Sequence, residues 1–245
     1  MKQNRITTVQ DLGVSPHSGK PLVMGSTVFN EDCMTVMARY PDKYFDLAIC
    51  DPPYGIGMDG DFSCFSKNDK GFLGKRNHKQ KDWDSVKPAP EYFTELRRVS
   101  KNQIIFGANY FTEFLPSSMG WIVWDKKVAN ANNKNFSDCE LAYTSFEKRL
   151  VKLTYDWIGF GYLNNKAGQV KIHPTEKPID LYRMILKEYA KPNDLIFDSH
   201  LGSGSSRIAC HKEGLEFVGC EIDAEYFAAQ EARFLEFTSQ LRLFG

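Results

Sequence analysis

Short hydrophobic runs that lead into polar or acidic residues recur along the chain. They lie at Thr27–Asn30, Phe45–Cys50, Gln103–Phe106, Trp121–Trp124, Leu195–Phe197 and Phe217–Cys220. Runs of this kind predict buried strands of a mainly parallel sheet. Between several of them the spacing is helical, as at Tyr182, Ile185, Leu186 and Tyr189. Alternating strands and helices predict a doubly wound α/β fold, which we expect to form one domain over residues 1–245.

Composition narrows the class of protein further. Hydrophobic residues make up 42% of the chain and charged residues 25%, which is typical of an ordinary globular domain. The chain contains no apolar run of about 18 residues, and its start lacks a signal-peptide pattern, so we expect a cytoplasmic protein with no membrane partner. The cysteines include no Cys-x-x-Cys pair and the histidines are scattered. We therefore expect neither disulfides nor a metal ion.

Charge is balanced overall, with 31 basic and 31 acidic residues, so binding to a nucleic acid would have to rest on local clusters. One such cluster interrupts the strand–helix rhythm between residues 57 and 90. It interleaves four aromatic residues with the basic residues Lys67, Lys70, Lys75, Arg76, Lys79 and Lys81. A long loop in a compact domain is usually functional, and this one predicts a DNA-binding insertion that becomes ordered on DNA. The alternative is a solvated surface loop.

The sequence Asp51-Pro52-Pro53-Tyr54 follows the predicted strand Phe45–Cys50, at the strand end where open α/β sheets bind ligands. An exocyclic amine of a nucleobase is a poor nucleophile because its lone pair is delocalised into the ring. The Asp51 carboxylate and the Pro52 carbonyl are suited to accept its two hydrogens, and the Tyr54 ring offers a stacking face. The four residues thus predict a clamp for a base flipped out of DNA. The alternative is a proline-rich turn that closes a strand.

A second motif runs from Asp198 through the glycine-containing turn Gly202, Ser203, Gly204 and Ser205 into a helix predicted from Ser206. The next strand ends in Glu221, whose carboxylate is placed to bind ribose hydroxyls. The turn lacks the third glycine of a dinucleotide fingerprint and the chain has no Gly-Lys-Ser/Thr sequence. A nucleoside cofactor without a pyrophosphate, such as S-adenosylmethionine, fits this pattern.

A third motif, His173 to Pro178, precedes a helix predicted from Ile179 to Ala190. The motif has two interpretations. Thr175 could cap the helix while the prolines stiffen its start. Alternatively, Lys177 and the Thr175 hydroxyl could bind the carboxylate of the cofactor near the helix N-terminus.

Together the three motifs resemble the β group of DNA amino-methyltransferases, in which the Asp-Pro-Pro-Tyr motif precedes the glycine-rich motif. The resemblance covers nearly the whole chain and implies a seven-stranded, Rossmann-like methyltransferase sheet with this permuted motif order. It implies that Asp51, Pro52, Pro53 and Tyr54 form the base pocket. It also implies a later strand of the catalytic half at residues 121–126. The implied cofactor residues are Asp32, which would meet the adenine ring, with Cys33, His173, Thr175, Lys177, Asp198, Gly202, Ser203, Gly204, Ser205 and Glu221.

The chain departs from the family pattern at Ser199-His200, where Pro-Phe is usual, and at Ser205, where Thr is common. It also leaves little room for a target-recognition domain, so recognition is expected to fall to residues 57–90 and to a minor segment at 148–170. The Asp at the first motif position favours adenine N6 in double-stranded DNA, since the family's cytosine enzymes often carry Ser there. Cytosine N4, or a catalytically silent nucleic-acid-binding module, is the alternative. A homodimer and a cognate restriction nuclease stay open as partners.

Overall fold

The computed structural model describes residues 25–57, 82–126, 137–155, 157, 172–173 and 175–241. The strands are β1 (Ser26–Phe29), β2 (Phe45–Cys50), β3 (Ser100–Phe106), β4 (Trp121–Asp125), β5 (Cys139–Thr144), β6 (Val151–Thr154), β7 (Leu195–Asp198) and β8 (Glu216–Cys220). The α-helices are α1 (Cys33–Met37), α2 (Pro90–Val99), α3 (Ile179–Tyr189), α4 (Ser205–Lys212) and α5 (Ala224–Leu241). Short 3-10 turns lie at Asp82–Asp84, Ala108–Tyr110 and Thr112–Phe114.

The described strands form one sheet in the order β1-β8-β7-β2-β3-β5-β4-β6. β5 is antiparallel to β3 and β4, and every other pairing between described strands is parallel. The predicted mainly parallel, doubly wound α/β fold is confirmed. The family resemblance implied seven strands, whereas the structure describes eight, because the short β6 extends the sheet beyond β4.

All six hydrophobic runs fall on strands, with ends that differ by up to three residues. The predicted helix from Ile179 is α3, which ends at Tyr189, and the helix predicted from Ser206 is α4, which begins at Ser205. The minor recognition segment at 148–170 is only partly described. Its residues Val151–Thr154 pair with β4 and therefore belong to the sheet.

Helices cover both faces of the sheet. Alternate side chains of the central strands point to opposite sides, so each strand contributes to both helix layers. One hydrophobic core packs α1 and α2 against Phe45, Ala48 and Cys50 of β2. The other packs α3 and α4 against Leu47 and Ile49 of the same strand. Burial on both faces is why β2 reads as a continuous hydrophobic run. Among the described residues, no helix has both the length and the apolar composition to cross a membrane.

The strand order changes direction between β2 and β7. From β2 the chain goes on to β3 on one side, and from β7 it goes on to β8 on the other. The crevice at the carboxyl ends of such neighbouring strands is where doubly wound sheets bind their ligands. Asp51 directly follows β2, and Asp198 is the last residue of β7. Two of the three sequence motifs therefore meet at this crevice.

Candidate active site

The Asp51–Tyr54 segment folds back on itself at the end of β2. The Tyr54 hydroxyl donates a 2.6 Å hydrogen bond to Asp51 Oδ1. The segment is held from below by the buried Asp84, whose Oδ1 accepts the backbone N–H groups of Tyr54 at 2.6 Å and Gly55 at 3.0 Å. Carboxylate and phenol are thus fixed relative to each other and to the backbone between them.

The Tyr54 ring lies directly on the backbone of Gly107, which follows β3. A Cβ at Gly107 would come within 2.1 Å of Tyr54 Cε1, and the residue has a φ of +65°. Tyr110, in the turn after Gly107, stacks on Tyr54 with ring centroids 5.2 Å apart. Glycine is thus required at position 107 both for space and for backbone conformation.

Lys177 reaches Asp51 and Tyr54 from the segment before α3. Its buried ammonium binds Asp51 Oδ2, donates to the Tyr54 hydroxyl at 3.1 Å and lies 3.4 Å from Glu140 Oε2. Glu140, on β5, is bound through its other oxygen by Lys126 at 2.6 Å. Two carboxylates and two ammonium groups therefore share the pocket wall.

Burial and the charges of neighbouring side chains act against each other on the pKa values in this cluster. It raises the pKa of Asp51, and the neighbouring Lys177 opposes part of that rise. Burial also lowers the pKa of Lys177, but Asp51 and Glu140 outweigh it and leave that pKa above its usual value. The pKa of Glu140 is lowered in spite of burial, because Lys177 and Lys126 favour its charged form.

The glycine-containing turn connects β7 to α4. Asp198 accepts the His200 N–H at 3.0 Å and the Ser206 hydroxyl at 2.5 Å, and burial raises its pKa to about 7. Gly202 and Gly204 have φ values of +50° and +74°, and Gly204 is the N-cap of α4. The turn is tied to α5 by Arg233, which donates to the Ser203 carbonyl at 2.9 Å and to the Ser205 hydroxyl at 3.1 Å.

Glu221 and Asp32 flank this turn at the carboxyl ends of β8 and β1, which are paired strands. Glu221 accepts the N–H groups of Gly202 at 2.8 Å and of Asp223 at 2.9 Å, and burial raises its pKa. Asp32 is exposed and caps α1. Burial, with Asp32 next to it, raises the pKa of Cys33 to about 12, so this thiol stays protonated.

The segment from residue 172 to 178 contacts both Asp51, through Lys177, and the arginine that holds the glycine-containing turn, through Glu176. Residue 174 is outside the described residues. The His173 ring packs on Tyr226, with centroids 4.4 Å apart, and its Nδ1 lies 3.2 Å from the Thr175 hydroxyl. Thr175 does not cap α3, because Pro178 is the N-cap and no side chain makes a capping bond there. The capping interpretation of Thr175 is therefore wrong.

The unusual Ser199-His200 pair packs behind the turn. The Ser199 hydroxyl lies 2.7 Å from the hydroxyl of the buried Tyr92 and 2.8 Å from His200 Nδ1. Burial lowers the pKa of His200 to about 4, so its imidazole is neutral at pH 7. These hydrogen bonds fix Ser199 and His200 against α2.

The structure brings the predicted catalytic and cofactor residues to one edge of the sheet. The predicted DNA-binding residues, Lys67, Lys70, Lys75, Arg76, Lys79 and Lys81, lie outside the described residues. Sequence reasoning missed Glu140, Asp84 and Gly107. None of the three belongs to a motif, and the strand that carries Glu140 was itself not predicted.

Known proteins resemble this chain over most of its length. A family model described as DNA methylase matches residues 118–232, which include Glu140, Lys177, the glycine-containing turn and Glu221. YubD of Escherichia coli K12, whose name assigns it only provisionally to the methylases, is 26% identical over 213 residues. These cover 82% of this chain and 87% of that protein. The type II methyltransferase M1.MboII of Moraxella bovis is 23% identical over 80% of this chain and 91% of its own.

Solved structures share the fold. The M1.HpyAVI–SAM complex matches with a TM-score of 0.53 at 19% identity, over 85% of this chain and 99% of that one. The PvuII DNA methyltransferase, a cytosine-N4-specific enzyme, matches with a TM-score of 0.54 at 14% identity, over 86% of each chain. The chain is similar to the N6/N4 DNA methyltransferase family in sequence, and it shares the fold of solved DNA methyltransferases.

Proposed function

We propose that this protein transfers a methyl group from S-adenosylmethionine to the N6 amino group of an adenine flipped out of double-stranded DNA. The observation that carries the proposal is the paired geometry of Asp51 and Tyr54 at the carboxyl end of β2. A carboxylate and an aromatic face, joined by a 2.6 Å hydrogen bond, border one crevice. Those are the two groups that an amino-bearing base needs.

Asp51 has acceptor capacity left for the amine. An ionised carboxylate offers about four lone-pair positions. Two are used, one by Tyr54 and one by Lys177. A remaining lone pair binds one hydrogen of the amine, and the Pro52 carbonyl is the second acceptor. Holding both hydrogens draws the nitrogen lone pair out of conjugation with the ring, which makes it nucleophilic.

The residues around the glycine-containing turn fit S-adenosylmethionine. Glu221 has lone pairs left beyond the two N–H groups that it accepts, enough to bind a ribose diol. Three carboxylates, Asp32, Asp198 and Glu221, lie at neighbouring strand ends, and they suit a cationic cofactor better than a pyrophosphate. When bound, S-adenosylmethionine supplies a methyl group on a positively charged sulfur.

Asp51 favours adenine over cytosine as the acceptor. The cytosine-N4 enzymes of the family tend to carry Ser at this position. The basic segment of residues 67–81 is proposed as the DNA contact, and its contribution would appear as a steeper dependence of affinity on salt.

Methyl transfer from labelled S-adenosylmethionine to mixed-sequence DNA, followed by nucleoside mass spectrometry, tests the proposal. N6-methyladenine is the expected product. If the product is N4-methylcytosine, the acceptor base is cytosine and not adenine. If no methylated base forms, the proposal is wrong altogether.

Variants test the assigned roles in the same assay. Asp51→Asn keeps the side-chain shape and should slow methyl transfer by roughly 100-fold or more, since it removes a charged acceptor at the reacting group. Tyr54→Ala should lose a stacking contact of about 1–3 kcal/mol. Both should bind S-adenosylmethionine normally. Glu221→Ala is the contrasting control, with cofactor affinity weakened by about 1.5–3 kcal/mol. Parental methylation by Asp51→Asn would contradict the assignment.

A further inference from the structure

Lys177 lies beside Asp51 and Tyr54 with its ammonium group surrounded by oxygen atoms. An ammonium group has three donors. Three oxygens surround this one, Asp51 Oδ2, the Tyr54 hydroxyl and Glu140 Oε2. The nitrogen also lies 4.7 Å from the centroid of the Phe106 ring, which closes the remaining side. Two donors form hydrogen bonds to Asp51 and Tyr54, and the Glu140 contact is an ion pair, since Glu140 Oε2 accepts no hydrogen bond among the described residues. These contacts engage the ammonium at Asp51, whereas the sequence motif suggested that it binds the carboxylate of a cofactor.

Glu140 is the second half of this arrangement. Its Oε1 is bound by Lys126 at 2.6 Å, and its Oε2 faces Lys177 at 3.4 Å. The four side chains carry two positive and two negative charges, so the buried cluster is neutral as a whole. Neutrality matters here because removing one member of a buried ion pair leaves an uncompensated charge.

We propose that Lys177, anchored by Glu140, is a positioning residue for the reaction, which orients the Asp51 carboxylate toward the amine of the target base and keeps it ionised. This inference rests on the proposed methyltransferase function. Lys177 fixes one oxygen of the carboxylate and Tyr54 fixes the other, so the plane of the group cannot rotate. The free lone pairs then point in set directions.

The ionisation state of Asp51 matters as much as its orientation. A protonated Asp51 would present a hydrogen toward the amine instead of accepting one from it. Burial favours that protonated form, and Lys177 is the nearest cation that opposes it. As a like charge, Glu140 raises the pKa of Asp51, but it also forms an ion pair with the Lys177 ammonium. Loss of Lys177 would leave two carboxylates facing each other, and one of them would take up a proton.

The experiment compares Lys177→Met and Lys177→Gln, which remove the charge, with Lys177→Arg, which keeps it. Lys101→Met is the matched control, because Lys101 is the second residue of β3, at the opposite end of that strand from Gly107, and pairs with Asp46. Single-turnover methyl transfer is measured as a function of pH, and S-adenosylmethionine affinity is measured by calorimetry.

At pH 7 both neutral variants should be slower by roughly 10- to 1,000-fold, the range expected when a carboxyl loses an adjacent cation. Their rates should recover as the pH rises, so that the acidic limb of the profile moves to higher pH. Lys177→Arg should keep the parental limb, with a lower rate at every pH. Cofactor affinity should stay near the parental value in every variant, and Lys101→Met should match the parent throughout.

Two results would overturn the inference. In one, the neutral variants lose cofactor affinity and keep the parental pH profile, which would assign Lys177 to the cofactor carboxylate. In the other, the profile of Lys177→Gln is unmoved and its rate is parental, which would leave Lys177 a purely structural role. If Lys177→Met does not fold, Lys177→Gln provides the same test, since it retains a hydrogen-bond donor. Failure of the proposed function is distinguishable, because the parental protein would then methylate no DNA.

Discussion

At the scale of single residues, Gly107 provides the space in which Tyr54 sits. Gly107→Ala would place a methyl group 2.1 Å from the Tyr54 ring, in a backbone conformation that L-residues avoid. We expect the ring to move off Asp51 and methyl transfer to fall by about 100-fold, as for a misplacement of about 1 Å. The measurement is the rate of label transfer together with the free energy of unfolding.

Gly214→Ala is the matched control for this prediction. Gly214 also has a positive φ, +69°, but nothing lies within 4 Å of its added Cβ. Both variants should lose about 1–3 kcal/mol of stability from backbone strain. Only Gly107→Ala should lose activity. Equal activity in the two variants would mean that the position of the Tyr54 ring is not critical.

Local sequence was sufficient for the residues that carry their own motif. Asp51 follows a hydrophobic run, and the Gly202–Ser205 turn joins a strand to a helix, so their place at a strand end was predictable. Glu140 and Asp84 have no such signal. Glu140 depends on Lys177 and Lys126, and Asp84 depends on backbone groups 29 and 30 positions earlier in the chain. Such long-range partners become apparent only when the sheet is assembled.

At the scale of elements, the loop that follows Tyr54 is tied to the 3-10 turn at Asp82–Asp84. Asp84 accepts two N–H groups of the loop, and its carbonyl accepts the Gly57 N–H at 3.0 Å. Asp84→Ala removes the two carboxylate bonds, each worth about 1.5–3 kcal/mol. We expect faster amide exchange at Tyr54 and Gly55, and slower methyl transfer with normal cofactor binding.

Hydrogen exchange followed by NMR or mass spectrometry measures this effect directly. Asp42→Ala is a suitable control, since Asp42 is a largely exposed carboxylate paired with Arg98 on the protein surface. Unchanged protection of Tyr54 and Gly55 in Asp84→Ala would show that other contacts hold the loop.

Hydrophobic runs predicted all of the most deeply buried strands, β2, β3, β7 and β8. β5 and β6 were missed because their sequences, CELAYT and VKLT, mix charged and apolar residues. β6 is the edge of the sheet, where polar side chains are normal. β5 enters the sheet antiparallel from a partly exposed start. Neither pattern differs enough from a polar loop to be recognised without the neighbouring strands.

At the scale of the whole molecule, Asp198 makes stability depend on pH. Burial raises its pKa to about 7, so the folded protein binds a proton more tightly than the unfolded chain. The contribution of this group is therefore fully present below its unfolded pKa of about 3.9, and it is lost as the pH rises toward 7. The total effect is on the order of 4 kcal/mol.

Asp198→Asn should flatten this part of the pH dependence. The free energy of unfolding, measured by denaturant titration between pH 4 and pH 8, should decline less in the variant than in the parent. Ile208→Val, a buried change in α4, should instead lower the free energy by about 1 kcal/mol at every pH. A parental slope in Asp198→Asn would assign the pH dependence to other groups.

The segment before α3 has a consequence for how the molecule handles its two ligands. Glu176 pairs with Arg233, which holds the glycine-containing turn, while the next residue, Lys177, binds Asp51. One short stretch of backbone thus contacts both the glycine-containing turn and Asp51, so we expect binding at one of these places to influence binding at the other. Thermodynamic linkage makes such coupling reciprocal. The factor by which bound cofactor changes affinity for DNA must equal the factor by which DNA changes affinity for cofactor.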